Sequence, residues 1–481
     1  MRVPILDDIN RRVFVKDVGL IWMGLALGTM GGCEDLAEAI KHRPIRRRVR
    51  TGSPQVDHDI ATYREAVDKM KALAPGDLRS WLKQAEIHGT PSGFNFCEHG
   101  TIHFFDWHRA YLFYFEKICQ DLTKDKKFGL PYWNWNQNPD IHSAFLDPAS
   151  SLYMARSRNS MTGSWSITTA ALDPILADTN FYTFGSQLEG TPHNNVHGYI
   201  GGTLGSYASA RDPLFWMHHC MIDYCWAKWN LELGNNNTND AAWVNHDNSH
   251  FVDAAGAAAS ATAGVTTLMP LISYQYESSA IGSSPAVEWK KTKHDYEKLE
   301  KKIRKGANIR FDVKQRIRIS QRAAVSIGRP VSMQTGLSVN DFSRLLSLDP
   351  AKDRVFVSID FAQLPATSDF AVRVFIGLPS ASRSTPTDDP HFAGSFAFFG
   401  GPAATAPRAG TSEHQGQNMF LVNITETLQR LKRSQELKEG VPFSVQLVPV
   451  PFGGKFERED TQLVLEKIDI ITTPVIINPP E

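Results

Sequence analysis

His193-Asn194-Asn195-Val196-His197, followed downstream by Asp212-Pro213-Leu214-Phe215-Trp216-Met217-His218-His219 and then by Asp223, is the stretch that decides how this chain folds. His193 and His197 are four residues apart, so on a helix they share a face and converge on one point. His219 and Asp223 have the same spacing on a long periodic segment from Phe215 to Glu232. His218 and His219 are adjacent and cannot both aim at one ion from a regular helix. Spacing leaves open which does, although Asp223 shares a face with His219, as a carboxylate supporting a ligand histidine would.

Working outward, a second window carries the same chemistry: His88-Gly89, then Cys97-Glu98-His99-Gly100-Thr101-Ile102-His103, then Trp107-His108-Arg109. The two windows hold eight of the sixteen histidines. His99 and His108 are nine residues apart, half a turn out of phase on one helix. If both bind one metal, His99 comes from the loop before a helix that begins near Phe105. His99 and His103 form a rival pair four apart. Neutral imidazole is the commonest protein ligand for copper, zinc and iron, so two sets of histidines predict two metal ions. Hydrolytic two-metal sites need bridging or water-positioning carboxylates, which are scarce at these spacings; an all-nitrogen set suits copper.

Helical periodicity runs through Ile60 to Leu73, Asp77 to Ile87, Trp107 to Leu122 and Phe215 to Glu232, with loops around the histidines. From about Arg310 the pattern turns to short strands, among them Val355–Ile359, Ala371–Ile376, Phe420–Ile424 and Pro442–Leu447. The expected architecture is therefore multidomain: a mainly α core, a four-helix bundle around the metal pair, followed by a C-terminal antiparallel β-sandwich or barrel. The expected boundaries are 1–39 for an export signal, 40–277 for the α core, 278–330 for a Lys-rich linker open to proteolytic activation, and 331–481 for the β domain. Lys plus Arg equals Asp plus Glu, so no electrostatic case exists for nucleic acid. Five cysteines are too few and too irregular for a disulfide framework.

At the N-terminus, Asn10-Arg11-Arg12-Val13-Phe14-Val15-Lys16 precedes an apolar run, Val18 to Met30, too short to span a bilayer comfortably, and Ala37-Glu38-Ala39 supplies a small-residue cleavage site. This resembles a twin-arginine bacterial export signal. It predicts a periplasmic or extracellular protein without a membrane anchor once the signal is removed. Met30-Gly31-Gly32-Cys33 is a looser match to a lipoprotein cleavage box.

Residues 45–277 resemble the type-3 copper proteins, namely tyrosinases, catechol oxidases and haemocyanins. The resemblance rests on Cys97-Glu98-His99 with His108-Arg109 nine residues on, His193-x-x-x-His197, the Asp212-Pro213-x-Phe215-x-x-His218-His219-x-x-x-Asp223 run, and Tyr274-Gln275-Tyr276. It implies two copper ions, the first held by His88, His99 and His108, the second by His193, His197 and His219, with His103 and His218 as non-ligands. It also implies a thioether between Cys97 and the ring of His99, and a water held by Glu189 and Asn194 that acts as base towards the phenol. Ser206 lies where plant catechol oxidases often carry a bulky Phe, so a small residue there implies an open entrance.

The activity implied is that of a tyrosinase: O2-dependent ortho-hydroxylation of monophenols and oxidation of o-diphenols to o-quinones. Catechol oxidase or o-aminophenol oxidase is the alternative, and a haemocyanin-like O2 carrier is the alternative of another class. Phenols, catechols, O2, an activating protease and a copper chaperone are the partners this reading calls for. Latent family members cover their copper site with a C-terminal domain. In Pro449-Val450-Pro451-Phe452-Gly453-Gly454-Lys455-Phe456, two prolines before and two glycines after Phe452 favour a protruding loop tip. Phe452 is the expected plug, with Phe456 as the second choice.

Overall fold

The computed structural model describes residues 42–284, 312–320, 322–378, 380–400, 418–458 and 460–475. The N-terminal segment with its twin-arginine pattern and the Lys-rich run Trp289 to Lys305 fall outside the described residues.

Four helices frame the first half. Helix α1 (Pro54–Ala72) starts on Pro54 at its first turn, where a missing N–H costs nothing, and buries Val56, Ile60, Tyr63, Val67 and Met70 along one stripe. Helix α2 (Trp81–His88) ends on His88. Helix α3 (Phe104–Thr123) stops at Lys124, whose backbone is left-handed at φ 60°. Helix α4 (Leu214–Leu231) is buried around almost its whole circumference, as befits the central element of a bundle. The expected segments match these helices to within a few residues, except that the second begins at Trp81, after a turn over 77–80.

Two features close this domain. A parallel pairing of Ile45 with Gln275 and Arg46 with Tyr276 ties its beginning to its end. Beneath that pairing, the Asp223 carboxylate accepts from Arg109 Nε (2.5 Å), Arg46 Nη1 (3.1 Å), Tyr274 Oη (2.7 Å) and Tyr276 Oη (2.6 Å). Burial pushes the Asp223 carboxyl up, but the two guanidinium groups and two phenols hold it below its ordinary value. Asp223 therefore braces the bundle and does not support His219, contrary to the sequence expectation. Its four partners come from segments outside the helix it shares with His219, which no spacing reveals.

Among the described residues, the second half is a β-sandwich with no closed barrel. Its strands are β1 (Gln315–Ser320), β2 (Ala323–Ser326), β3 (Val331–Thr335), β4 (Asp353–Phe361), β5 (Phe370–Ile376), β6 (Phe392–Ala397), β7 (Met419–Asn423), β8 (Phe443–Pro451) and β9 (Gln462–Pro474). One sheet runs β7-β4-β9-β1 with β2 also on β9, and the other runs β6-β5-β8-β3. All these pairings are antiparallel, with Phe356 opposite Ile471 and Val374 opposite Leu447. Inward-facing Val357, Ile359, Val372, Val374, Leu447 and Ile470 fill the space between the sheets. Because β1 and β2 pair with β9, the β domain begins near Gln315, earlier than the expected boundary at 331.

Candidate metal centre

The eight histidines of the two windows do not play equal parts. His88 arrives at the end of α2, His99 from the loop before α3, and His108 from the second turn of α3. Ring centroids lie 5.3 Å apart for His88 and His99, and 5.0 Å for His99 and His108. His193 ends a π-turn, Glu189–His193, that leads into the short helix Asn194–Ile200 carrying His197. Pro192 inside that turn has no N–H to continue an α ladder. His197 Nε2 faces His219 Nε2 at 3.2 Å, as His88 Nε2 faces His99 Nε2 at 3.2 Å. His103, the rival to His99, pairs with Asp106 (3.1 Å) and stacks on His246, away from both sets.

Hydrogen-bond partners fix which ring nitrogen is available. An oxygen acceptor sits on Nδ1 of His88 (Tyr207 O, 3.3 Å), His99 (Glu189 Oε1, 3.2 Å), His108 (Phe104 O, 2.7 Å), His193 (Asn194 Oδ1, 2.8 Å) and His197 (Leu204 O, 2.7 Å). Each ring is thereby held with its proton on Nδ1 and its lone pair on Nε2. Nε2 of His108 and of His193 is buried with no hydrogen-bond partner among the described residues. Burial also drives the titration of His88, His108, His193 and His197 down, His197 to about 3, so these four present neutral nitrogen. Buried lone pairs that converge in an aromatic-lined pocket are a donor set for a cation, and a nitrogen-only set fits copper.

His218 complicates the second set. Donor atoms of His193, His197 and His218 lie within 4.8 Å of one another, just as those of His88, His99 and His108 do. Yet His218 Nδ1 accepts from the indole N–H of Trp135 at 3.2 Å. That bond puts its proton on Nε2, which, like Nε2 of His108 and His193, is buried without a hydrogen-bond partner among the described residues. His219 carries no such constraint: among the described residues its Nδ1 has no hydrogen-bond partner, and its Nε2 meets His197.

Aromatic rings enclose the pair of triads. Phe94 stacks on His99 (4.7 Å), Phe215 lies tilted against His219 (4.1 Å), and Phe104 lies 4.8 Å from both His108 and His193. From the β domain comes Phe399, just beyond β6. Its ring lies nearly parallel to His197 at 4.1 Å and also contacts His99 (5.1 Å) and His193 (5.6 Å).

The expected plug residues lie elsewhere. Phe452 packs on Tyr199 at 5.6 Å, outside the histidine cluster, and its N–H bonds Asp369 O. Phe456 is buried in the sandwich core against Phe370 and the Arg383 guanidinium. The physical reason is that β8 holds Phe452 directly at a strand end, whereas β6 continues into the site. Phe398-Phe399-Gly400-Gly401 carries the same aromatic-then-glycine pattern as the Phe452 loop, and that was the available signal.

Glu189 Oε1 accepts from Gly100 N–H (2.8 Å) as well as facing His99, and burial raises its carboxyl to about 8. Asn194 bridges the domains, its Oδ1 on His193 and its Nδ2 donating to Ala397 O at 2.8 Å. Ser206 donates to Thr203 O (2.8 Å) and faces the cleft between the domains. Cys97 is buried and in no disulfide among the described residues, and burial raises its thiol well above its ordinary range.

Comparison with known proteins agrees with this geometry. The family model described as the common central domain of tyrosinase matches residues 78–160 and 146–232, and a domain of unknown function, DUF7868, matches 314–471. Residues 78–232 thus carry a tyrosinase-like central domain. Among its relatives, (+)-larreatricin hydroxylase of Larrea tridentata is 29% identical, covering 42% of this chain and 44% of that protein. Tyrosinase HcTyr1 of Hahella sp. (strain CCB-MM4) is 30% identical, covering 39% and 54%. The chain thus spans about half the length of these curated relatives.

Polyphenol oxidase C of Solanum lycopersicum aligns at 24% identity over 84% of this chain and 70% of that one. Solved structures give the fold of both halves: latent aurone synthase has a TM-score of 0.61 at 19% identity, covering 90% of each chain. Latent apple tyrosinase has a TM-score of 0.58 at 21% identity, covering 89% of this chain and 97% of that one. The tyrosinase-like central domain and the paired histidine triads together point to a dicopper centre.

Proposed function

We propose that this protein is a latent phenol oxidase of the tyrosinase type, acting on monophenols and o-diphenols with O2. The observation that carries the reading is the pair of neutral histidine triads with opposed Nε2 atoms, set in an aromatic pocket that Phe399 fills. Its ligands would be His88, His99 and His108 for one copper and His193, His197 and His219 for the other. When bound, the copper pair supplies the centre that binds and activates O2.

The chain's own residues set the rest. The Nδ1 acceptors orient five of the six rings before metal arrives, so little reorganisation accompanies loading. A phenol entering the pocket would lie against His197 where the Phe399 ring now stacks, between the walls of Phe94 and Phe215. Glu189 and Asn194 each hold the Nδ1 proton of a ligand histidine, one from each triad, and stand where a shared water could take the phenol proton. A thioether from Cys97 to His99 would further fix that ring. Ser206 leaves the cleft beside the pocket open.

The haemocyanin-like alternative draws support from the same covering domain: a functional unit of octopus hemocyanin shares the fold at a TM-score of 0.53. One experiment separates the readings. Copper-loaded protein is given tyrosine and then L-DOPA, before and after limited proteolysis, with quinone formation followed by absorbance. Oxidation of both after cleavage supports a latent tyrosinase; oxidation of L-DOPA alone supports a catechol oxidase; reversible O2 binding without turnover of either refutes an enzyme. Export by the twin-arginine route rests on the N-terminal sequence alone. It is tested by replacing Arg11 and Arg12 with Lys, which should leave the protein unexported. Among the described residues no helix is long and apolar enough to cross a membrane.

A further inference from the structure

Phe452 closes a second seam between the domains, over a cleft of about 630 Å3 that runs from the surface to Tyr207 and Gly400, beside Phe399. Resting on the phenol-oxidase reading above, we infer that Arg158 on the wall of this cleft selects phenols that carry a carboxylate. On the α-domain side the cleft is lined by Gly198, Gly201, Gly202, Gly205 and Ser206, and Arg158 is the one charged residue among the described α-domain residues that line it. Small residues leave room for a substrate tail; the guanidinium gives that tail something to bind.

Arg158 is held rigidly for the purpose. Its backbone N–H bonds Ile200 O at 3.1 Å, its Nη1 donates to Tyr199 O at 2.7 Å, and its guanidinium lies 4.6 Å from the Tyr199 ring. These anchors are on the segment directly after His197, so the charge keeps a fixed place relative to the pocket that Phe399 fills. Its Nη2 donates to the carbonyl oxygen of Phe452. A carboxylate is the stronger acceptor for guanidinium and can take two parallel N–H bonds, which a carbonyl cannot.

The β domain thus imitates a substrate at two points. The Phe399 ring lies in the phenol position, and the Phe452 carbonyl lies where a carboxylate would. Substrates of this class are phenolic acids and tyrosine-like amino acids, with the acid separated from the ring by a short chain.

The test uses the full chain carrying Phe399→Ala and Phe452→Ala, which remove the plug and the ring that seats the loop on Gly198 and Tyr199. In that background Arg158 is compared with Arg158→Gln and Arg158→Lys, using para-hydroxyphenylpropionate and its uncharged amide. The readouts are the ratio of kcat/KM for acid over amide and the ratio of their affinities by equilibrium dialysis. Arg158→Gln should lower both ratios about tenfold or more, through KM rather than kcat, the discrimination expected of a charge-assisted hydrogen bond. Arg158→Lys should restore part of it. Equal ratios for Arg158 and Arg158→Gln would overturn the inference. If no variant oxidises either phenol, the phenol-oxidase reading fails, while the dialysis ratio still decides the role of Arg158.

Discussion

Replacing Phe399 by Ala is the sharpest test of the proposal that its ring keeps the histidine pocket closed. The ring is 2% exposed and lies 4.1 Å from His197 at an interplanar angle of 19°. Burying a Phe side chain contributes about 1.5–3 kcal/mol, and a favourable ring pair adds roughly 0.5–1.5 kcal/mol. A phenol must displace this ring, so its removal should favour the accessible pocket by about 2–4 kcal/mol, or ~30- to 1000-fold in population. The remaining seam, in which Thr191 Oγ1 donates to Ser395 O and Asn194 Nδ2 to Ala397 O, is untouched, so the domain stays docked. The untreated full-length variant should therefore show kcat/KM for a catechol raised over that range, and proteolysis should add little more. Copper content must be measured in parallel, so that rates are compared per loaded site. Unchanged oxidation at full copper loading would refute the assignment of Phe399 as the plug.

The histidine assignment makes a paired prediction: His219→Ala should lower copper towards one ion per chain by elemental analysis, whereas His218→Ala should retain two, and the reverse result would exchange their roles. Asp223→Asn leaves Arg46 and Arg109 buried beside a neutral amide; denaturant unfolding should show a loss of about 3–5 kcal/mol, and a loss below ~1 kcal/mol would show that the cluster contributes little. Burial raises the carboxyl of Asp178 to about 6 from 3.8, against bonds from Thr183, the Asn180 N–H and Gln187. Between those values the folded chain holds a proton that the unfolded chain has released, so stability falls as pH rises through that window. Asp178→Asn should flatten that fall by ~2–3 kcal/mol, read from thermal or denaturant melts at pH values either side of the window; an unchanged slope would show that Asp178 is not its source. Phe452→Ala, which leaves the plug in place, should raise phenol oxidation only a few-fold, and an effect as large as that of Phe399→Ala would return the plug to Phe452.

Sequence by itself determined the parts of this protein that local periodicity encodes. The four helices, the β character after residue 310 and the presence of two histidine-rich windows follow from local patterns, because helices and strands project their side chains on fixed geometric schedules, whereas spacing left both His103 and His218 open as ligands. The preference for copper followed from donor chemistry alone. Tertiary structure decided what depends on partners distant in the chain. Asp223 belongs to Arg46, Arg109, Tyr274 and Tyr276, and Nδ1 of His218 is occupied by the indole N–H of Trp135. It also chose Phe399 over Phe452, since two loops with the same aromatic-glycine pattern differ only in which strand end points into the histidine pocket. Patterns along a chain identify which side chains share a face; only packing identifies what that face meets.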